Sequence, residues 1–242
     1  MSCRRLIVLL LVFTVTACER KPPAVQPAAA VEVVPREGPV FNEAFVEGFE
    51  ARVGGQTYRF RSQAVGELYL PSGRLVACDP LVSCGDAFAA RVPAGRFPLQ
   101  LAIARNGDDE RVALAKIVFA EGPIASWELA VTPAQDVSTL KPGEFFGYGV
   151  DSGTGGFMDA DALTAFEAER ERGGEKFDQQ LFDALDKTYR HTWSWHLHQT
   201  TGGTVAMFSS GYGDGAYPTY RGYDKAGKLV AVITDFMIVP WR

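Results

Sequence analysis

The sequence lacks an excess of basic residues and lacks a long apolar segment. Lysine and arginine total 24 against 29 aspartates and glutamates, which gives a net charge of −5. This deficit argues against a nucleic-acid partner, because nucleic acids are bound through a basic surface. The apolar run at residues 6–16 is too short to span a bilayer as a lasting helix. We expect no nucleic-acid partner and no transmembrane helix in the mature chain.

Motifs of common catalytic and metal sites are also missing. The sequence contains neither Gly-x-Ser-x-Gly nor His-Glu-x-x-His, and its cysteines form no Cys-x-x-Cys pair. Among its three histidines, His196 and His198 would share one face of a strand, as metal ligands can. No third ligand is identifiable from spacing, so we favour a structural or surface pair and expect no metal or cofactor. We also find no internal repeat.

The first residues have the order of a bacterial secretion signal. Arg4 and Arg5 precede the apolar run at 6–16, and a basic start followed by such a run is typical of a secretory signal peptide. The run ends in Val-Thr-Ala-Cys at residues 15–18. This resembles the lipobox of bacterial lipoproteins, in which the cysteine is acylated and becomes the first residue. We predict a signal peptide at residues 1–17. We also predict that Cys18 carries a lipid anchor that includes palmitate.

Residues 18–39 are predicted to form the lipidated cysteine and a tether. The segment holds five prolines and several alanines, and Pro-rich segments extend as semi-rigid spacers. Three acyl chains would anchor it stably, because one chain alone binds a membrane only marginally. Glu19 rather than aspartate follows Cys18, which favours the outer membrane facing the periplasm if the cell is Gram-negative. We predict a single globular domain at residues 40–242.

Two cysteines remain in the predicted mature domain. Cys78 and Cys84 would lie in an envelope compartment that favours disulfides. A bond between them would close a small loop, with a stabilisation of about 2–3 kcal/mol before strain. We favour a disulfide over a metal pair, and a redox pair stays open as an alternative.

The stretch at residues 147–161 packs five glycines and three aspartates into a short space. Gly153 and Gly155 favour sharp turns, and consecutive N–H groups exposed there could bind an anion. Its aspartates could instead gather a hard cation such as calcium, although the spacing matches no calcium-loop motif. A third interpretation is structural, with Asp159 capping the helix that follows. We favour this third interpretation, a loop that connects a strand to a capped helix.

The segment from 40 to 150 has the patterns of antiparallel β-structure. Residues 65–70 and 74–77 flank Pro-Ser-Gly, which predicts a hairpin. Residues 97–104 and 111–120 flank Asn-Gly, the strongest short hairpin signal. Further strands are predicted at 127–132 and 145–150.

The remaining chain is predicted to be helical and then β again. Residues 161–172 and 176–190 combine strong helix formers with helical spacing of apolar residues, separated by Gly173 and Gly174. Strands are predicted at 204–209, 216–223 and 228–236, the last two joined by a hairpin turn at 225–227. We predict an α+β fold: a twisted antiparallel β-sheet or open barrel with a helical insertion near residues 160–190.

Three motifs carry a family resemblance: LPSGRLVACDP, GYGVDSGTGGFMDADA and SSGYGDGAYPTYRGYDKAGKLVAVITDF. Together they resemble the bacterial domain-of-unknown-function family 4241 over most of the chain from about residue 65 to 236. The resemblance implies the extent of the domain and no established activity. It draws attention, without assigning roles, to Asp79, Asp151, Asp159, Asp214 and Asp235.

These observations are compatible with three functions. We favour a membrane-anchored, non-catalytic binding or structural module of the envelope, with a protein or glycan partner. Its binding loops would carry Asp79, Gly153, Gly155, Asp159, Gly213, Asp214 and Asp235. The first alternative is a hydrolase-type enzyme whose candidate catalytic residues are Asp151, Asp214 and His196. The second alternative is a calcium-stabilised domain, in which calcium would raise the melting temperature.

Overall fold

The computed structural model of the chain describes residues 40–239, which contain three α-helices, one 3-10 helix (Val137–Thr139) and thirteen strands. The predicted signal peptide, Cys18 and the tether lie outside these described residues. Within them, no helix is both long and apolar enough to cross a membrane. The helices are α1 (Val40–Glu43), α2 (Ala160–Gly173) and α3 (Glu175–Asp186).

Two larger sheets and a small ribbon make up the β-structure, and their strand pairs are antiparallel. The first sheet has the order β1 (Glu50–Val53), β2 (Gln56–Leu70), β4 (Gly95–Asn106), β5 (Asp109–Val118), β13 (Leu229–Asp235), β12 (Thr219–Tyr223) and β6 (Ser126–Leu129). The second has the order β3 (Leu75–Cys78), β8 (Thr154–Asp159), β10 (Gly203–Ser209) and β9 (Trp195–Thr200). The ribbon pairs β7 (Tyr148–Val150) with β11 (Gly215–Tyr217).

The main core lies between the two larger sheets. Along β4, Leu101 and Ile103 point towards the second sheet, while Ala102 and Ala104 point to the opposite face, because successive side chains of a strand alternate between faces. The opposite face is covered by a second apolar cluster that includes Phe41 and aromatic residues of β6 and β12. Both faces of the first sheet are therefore buried.

Helices α2 and α3 pack on the outer face of the second sheet. Phe166 of α2 and Leu181 of α3 join Met158 and Met207 in a third apolar cluster. Helix α3, which was predicted to extend to residue 190, ends at Asp186. The Thr188 hydroxyl donates to the Leu185 carbonyl at the end of α3, and the chain then turns back towards β9.

The hairpin predicted from Asn-Gly is confirmed. Strands β4 and β5 pair antiparallel, and Asn106 faces Asp109 across a two-residue turn. Gly107 has a φ of 62°, a left-handed conformation that glycine adopts without a steric penalty. The hairpin at residues 225–227 is likewise present, because β12 pairs with β13.

Two predictions about local structure are wrong. Pro-Ser-Gly at residues 71–73 does not close a hairpin, since β2 belongs to the first sheet and β3 to the second. Residues 154–159 are not a loop but β8, whose six residues are all buried. Glycine in that strand reflects lack of space: a Cβ on Gly156 would lie 2.6 Å from the Ala206 carbonyl oxygen. The overall class is as predicted, an α+β fold with a curled, half-barrel antiparallel sheet.

Candidate functional site

Asp79, directly after β3, is a buried carboxylate saturated with hydrogen bonds. One oxygen accepts from the backbone N–H groups of Asp151 (2.9 Å) and Ser152 (2.7 Å). The other accepts from the Ser152 hydroxyl (2.7 Å) and the Leu81 N–H (3.0 Å). The side chain therefore ties the loop after β3 to the turn before β8.

Asp159, at the end of β8, makes nearly the same set of contacts with the turn that precedes β3. It accepts from the N–H and hydroxyl of Ser72 (2.9 and 2.6 Å) and from the Gly73 N–H (3.0 Å). It also accepts from the Asp161 N–H (3.0 Å), which confirms the predicted cap of α2. Asp159 thus holds the turn before β3.

These reciprocal contacts reveal a short internal repeat, contrary to our expectation that none exists. Ser72–Gly73 precedes Asp79 with the same spacing as Ser152–Gly153 precedes Asp159. Gly73 and Gly153 have nearly equal φ values, 69° and 70°. Since β3 and β8 pair antiparallel, the two copies are related by a local two-fold axis. The spacing Ser-Gly-x5-Asp was the signal in the sequence that could have found this arrangement.

A groove opens beside Asp79, between β7 and the edge of β3. Its outer part has a volume of about 320 Å³ and its inner part about 40 Å³. The disulfide between Cys78 and Cys84, predicted from the sequence and present in the structure, closes the loop at its outer rim. Both parts are lined by Ala77, Asp86, Thr132, Gln135, Gly147 and Tyr148.

The groove carries negative charge. Asp86 and Asp151 are exposed and line its outer part, and neither forms an ion pair with a described residue. Its described lining includes no lysine, arginine or histidine. Burial raises the pKa of Tyr148, with smaller contributions from Tyr217 and Asp79. The tyrosine therefore stays neutral in a wall that attracts cations.

The two Gly/Asp loops do meet. The Ser210 N–H donates to the Gly153 carbonyl (3.0 Å), and β7 pairs with β11 so that Gly215 faces Val150. The Gly213 carbonyl accepts from the Tyr217 hydroxyl (2.8 Å). The two loops are therefore joined through backbone contacts, while the Tyr217 phenol holds the second loop to itself.

The aspartates singled out in the sequence nevertheless serve different places. Asp151 lines the groove, and Asp159 holds the turn at residues 72–73. Asp214 is exposed beside β11, and Asp235 accepts from the Met237 N–H (2.8 Å) at the end of β13. Of the five aspartates, only Asp79 and Asp151 line the groove. Gly155 is buried within β8, where a Cβ would lie 2.8 Å from the Tyr148 hydroxyl.

His196 lies on β9, under the helices. Burial lowers its pKa, and the positive charges of His198 and Lys187 lower it further. The two histidine rings are 6.2 Å apart, and His198 contacts Glu169 at 2.7 Å. Among residues 40–239 no group of three or more histidine, cysteine, aspartate or glutamate side chains could hold a metal ion. The calcium alternative therefore receives no support from this part of the chain.

Comparisons with known proteins identify a family but no activity. A family model described as "Protein of unknown function (DUF4241)" matches residues 68–234, which include both copies of the short repeat and most of the groove. No curated protein matches the chain significantly, and no solved structure does so either.

Proposed function

Because the chain belongs to the DUF4241 family, whose description assigns no activity, we propose a function from its own geometry. We propose that it is a non-catalytic binding module of the bacterial cell envelope, held at a membrane by lipid on Cys18. The groove beside Asp79 is its binding site, and an envelope protein or glycan is its partner.

The observation that carries this proposal is an acidic groove whose described lining contains no histidine, lysine or arginine. Asp79 is saturated by internal hydrogen bonds, and the Ser152 hydroxyl is one of its donors. General acid–base catalysis requires a titratable group within hydrogen-bond reach of the reacting atoms. His196 lies outside this groove, opposite Met207 on the face of the second sheet that the helices cover. The groove therefore offers shape and the negative charge of Asp86 and Asp151, which favour binding over turnover.

Two features support an envelope location. The order of basic start, apolar run and Cys18 is that of a lipoprotein precursor. The Cys78–Cys84 disulfide is of a kind that persists in oxidising compartments such as the periplasm. If the cell is Gram-negative, Glu19 after Cys18 favours attachment to the outer membrane facing the periplasm, because aspartate at that position often retains lipoproteins at the inner membrane.

Site-specific photocrosslinking in cells that express the full chain tests the proposal. A photoreactive amino acid replaces Val82, which is 51% exposed at the groove rim, or Tyr189, which is 59% exposed outside it. We expect a discrete crosslinked product at Val82 that is absent at Tyr189. Equal, diffuse crosslinking at both positions would contradict a binding groove.

A hydrolase remains the second candidate because of one observation. Asp151 directly follows β7 and Asp214 directly precedes β11, at the end of the ribbon where Val150 faces Gly215, and both aspartates are exposed. Paired carboxylates are the usual acid and base of hydrolytic sites. Turnover of chromogenic ester, phosphate or glycoside substrates by the purified chain, abolished by either Asp151→Asn or Asp214→Asn, would establish this function in place of the first.

A further inference from the structure

The floor of the groove is an uncovered strand edge. In the β3–β8 register the Ala160 N–H donates to the Arg74 carbonyl (2.9 Å), and hydrogen-bonded pairs alternate along an antiparallel ladder. Leu75 and Ala77 therefore direct their backbone N–H and C=O groups away from β8. The Leu75 carbonyl accepts from the Phe88 N–H (2.9 Å), so the segment after the disulfide loop covers that position.

Ala77 is not covered in the same way. No described residue forms a hydrogen bond with its outward-facing backbone groups, although the residue is only 9% exposed and lines both parts of the groove. Buried backbone groups without partners cost free energy. A ligand with a main-chain donor and acceptor would satisfy both groups at once.

The opposite wall leaves room for another backbone. A Cβ on Gly149 would have no atom within 4 Å, so packing inside the protein does not require glycine there. Gly147 differs, because its Cβ would lie 2.7 Å from the backbone of Tyr217. Glycine in a strand often marks the close approach of a ligand or a second backbone, and Gly149 is free to serve that purpose.

The negative charge of the groove favours a basic side chain in a bound segment. Asp86 and Asp151 flank the opening without a cation from the described lining. A lysine or arginine of a partner would form charge-assisted hydrogen bonds with these carboxylates, whereas an acidic side chain would be repelled.

We propose, building on the proposed function, that the partner is a protein that inserts an extended, basic segment into the groove. Its backbone adds a short strand at the edge of β3 and pairs with Ala77, in the manner of β-strand addition. Its lysine or arginine side chain lies between Asp86 and Asp151. The disulfide loop forms the outer rim of this site.

Binding of two labelled peptides to the full mature chain in detergent tests the inference. The probes are the capped peptides Thr-Val-Lys-Val-Thr and Thr-Val-Glu-Val-Thr, followed by fluorescence anisotropy. We expect the lysine peptide to bind at least about tenfold more tightly than the glutamate peptide. Hydrogen exchange should slow at residues 75–79 and 147–151 when the lysine peptide is bound.

Matched variants separate the two parts of the site. Gly149→Val should fill the groove and weaken lysine-peptide binding by about tenfold or more, whereas Ala216→Val on the paired strand should not. Asp86→Asn with Asp151→Asn should remove most of the preference for lysine over glutamate. Asp108→Asn, at the exposed β4–β5 turn, should leave that preference intact.

The inference is overturned if the lysine peptide fails to bind at millimolar concentration, if both peptides bind equally, or if Gly149→Val binds as well as the parent chain. It is also overturned if a chitin trisaccharide slows exchange at residues 75–79 while the lysine peptide does not. In that case a crosslink at Val82 would still support the binding module. Loss of the Val82 crosslink itself would count against the proposed function as well.

Discussion

Two buried carboxylates, each surrounded by backbone N–H groups, fix the conformation of the turns that they contact. Asp79 and Asp159 each hold the turn that precedes the other's strand, so the two strands and two turns form one closed unit. Such a carboxylate has no lone pair left for a ligand. We infer a structural role for both residues, and the groove must rely on Asp86 and Asp151.

We expect Asp79→Asn and Asp159→Asn to lower the free energy of unfolding by about 2–4 kcal/mol each. The new amide NH₂ would face backbone N–H donors, which leaves buried groups unpaired. Urea unfolding followed by tryptophan fluorescence measures the change. Asp214→Asn, at an exposed position, is the control and should change it by less than about 0.5 kcal/mol. Full stability with loss of partner binding in Asp79→Asn would instead make Asp79 a ligand contact.

Lys116 on β5 is a second residue whose environment opposes its charge. Burial lowers its pKa from 10.5 to about 8, and its ammonium lies 3.7 Å from the centre of the Phe45 ring. No described residue forms an ion pair with it. At neutral pH the charged Lys116 ammonium is poorly solvated in the folded protein, which lowers the free energy of unfolding.

We expect Lys116→Met to raise the free energy of unfolding at pH 7 by about 1–2 kcal/mol, after allowance for partial exposure and the lost ring contact. In the parent chain, stability should rise as pH increases from about 8 to 10.5, because the unfolded state binds the proton more tightly over that range. Urea titrations at several pH values measure both effects. Lys176→Met, on the exposed side of α3, should leave this pH dependence unchanged.

At the scale of elements, glycine has two different roles in neighbouring strands. In β8, Gly156 is pressed between the Ala206 carbonyl and the Pro80 ring, each 2.6 Å from a hypothetical Cβ. In β7, by contrast, a hypothetical Cβ on Gly149 would have no atom within 4 Å. The first glycine is required by packing of the second sheet, and the second borders the groove.

We expect Gly156→Ala to destabilise the protein by about 3 kcal/mol or more, because a methyl group would push apart β8, β10 and the loop after β3. Gly149→Ala should change stability by less than about 1 kcal/mol. Thermal unfolding of the two variants side by side measures the contrast. Similar losses in both would mean that β7 lacks the free space described above.

Local signals predicted which strands pair only where the partner strand follows closely. The hairpin of β4 and β5 was predicted because Asn-Gly joins two apolar runs that pair with each other. The corner at residues 71–73 has similar turn residues, yet β3 pairs with β8 from far along the chain. Turn chemistry specifies a change of direction but not the sheet that the next strand joins.

At the scale of the whole molecule, the prediction that matters most is the lipid anchor. Residues 1–39 lie outside the described residues, so this prediction depends on the sequence alone. We expect metabolic labelling with an alkyne palmitate analogue to mark the chain, and mass spectrometry to find Cys18 as its first residue. The chain should sediment with membranes.

The matched variant is Cys18→Ser, which removes the acceptor sulfur and keeps the remaining sequence. It should take up no label and should be released from membranes by salt or carbonate. A parent chain that is unlabelled and free in solution would remove the envelope part of the proposed function. The groove and its peptide inference would be unaffected, since both rest on the geometry of the groove itself.

The sequence by itself determined the α+β class, two consecutive helices predicted at 161–172 and 176–190, the disulfide and the cap at Asp159. Each of these depends on spacing over a few residues, which a linear pattern records. Only the tertiary structure decided that Asp79 and Asp159 brace each other's turns and that residues 154–159 form a buried strand. It alone also showed that Asp86 and Asp151 share a groove with the open edge of Ala77. Those relations join residues that are dozens of positions apart, and burial rather than local preference places them together.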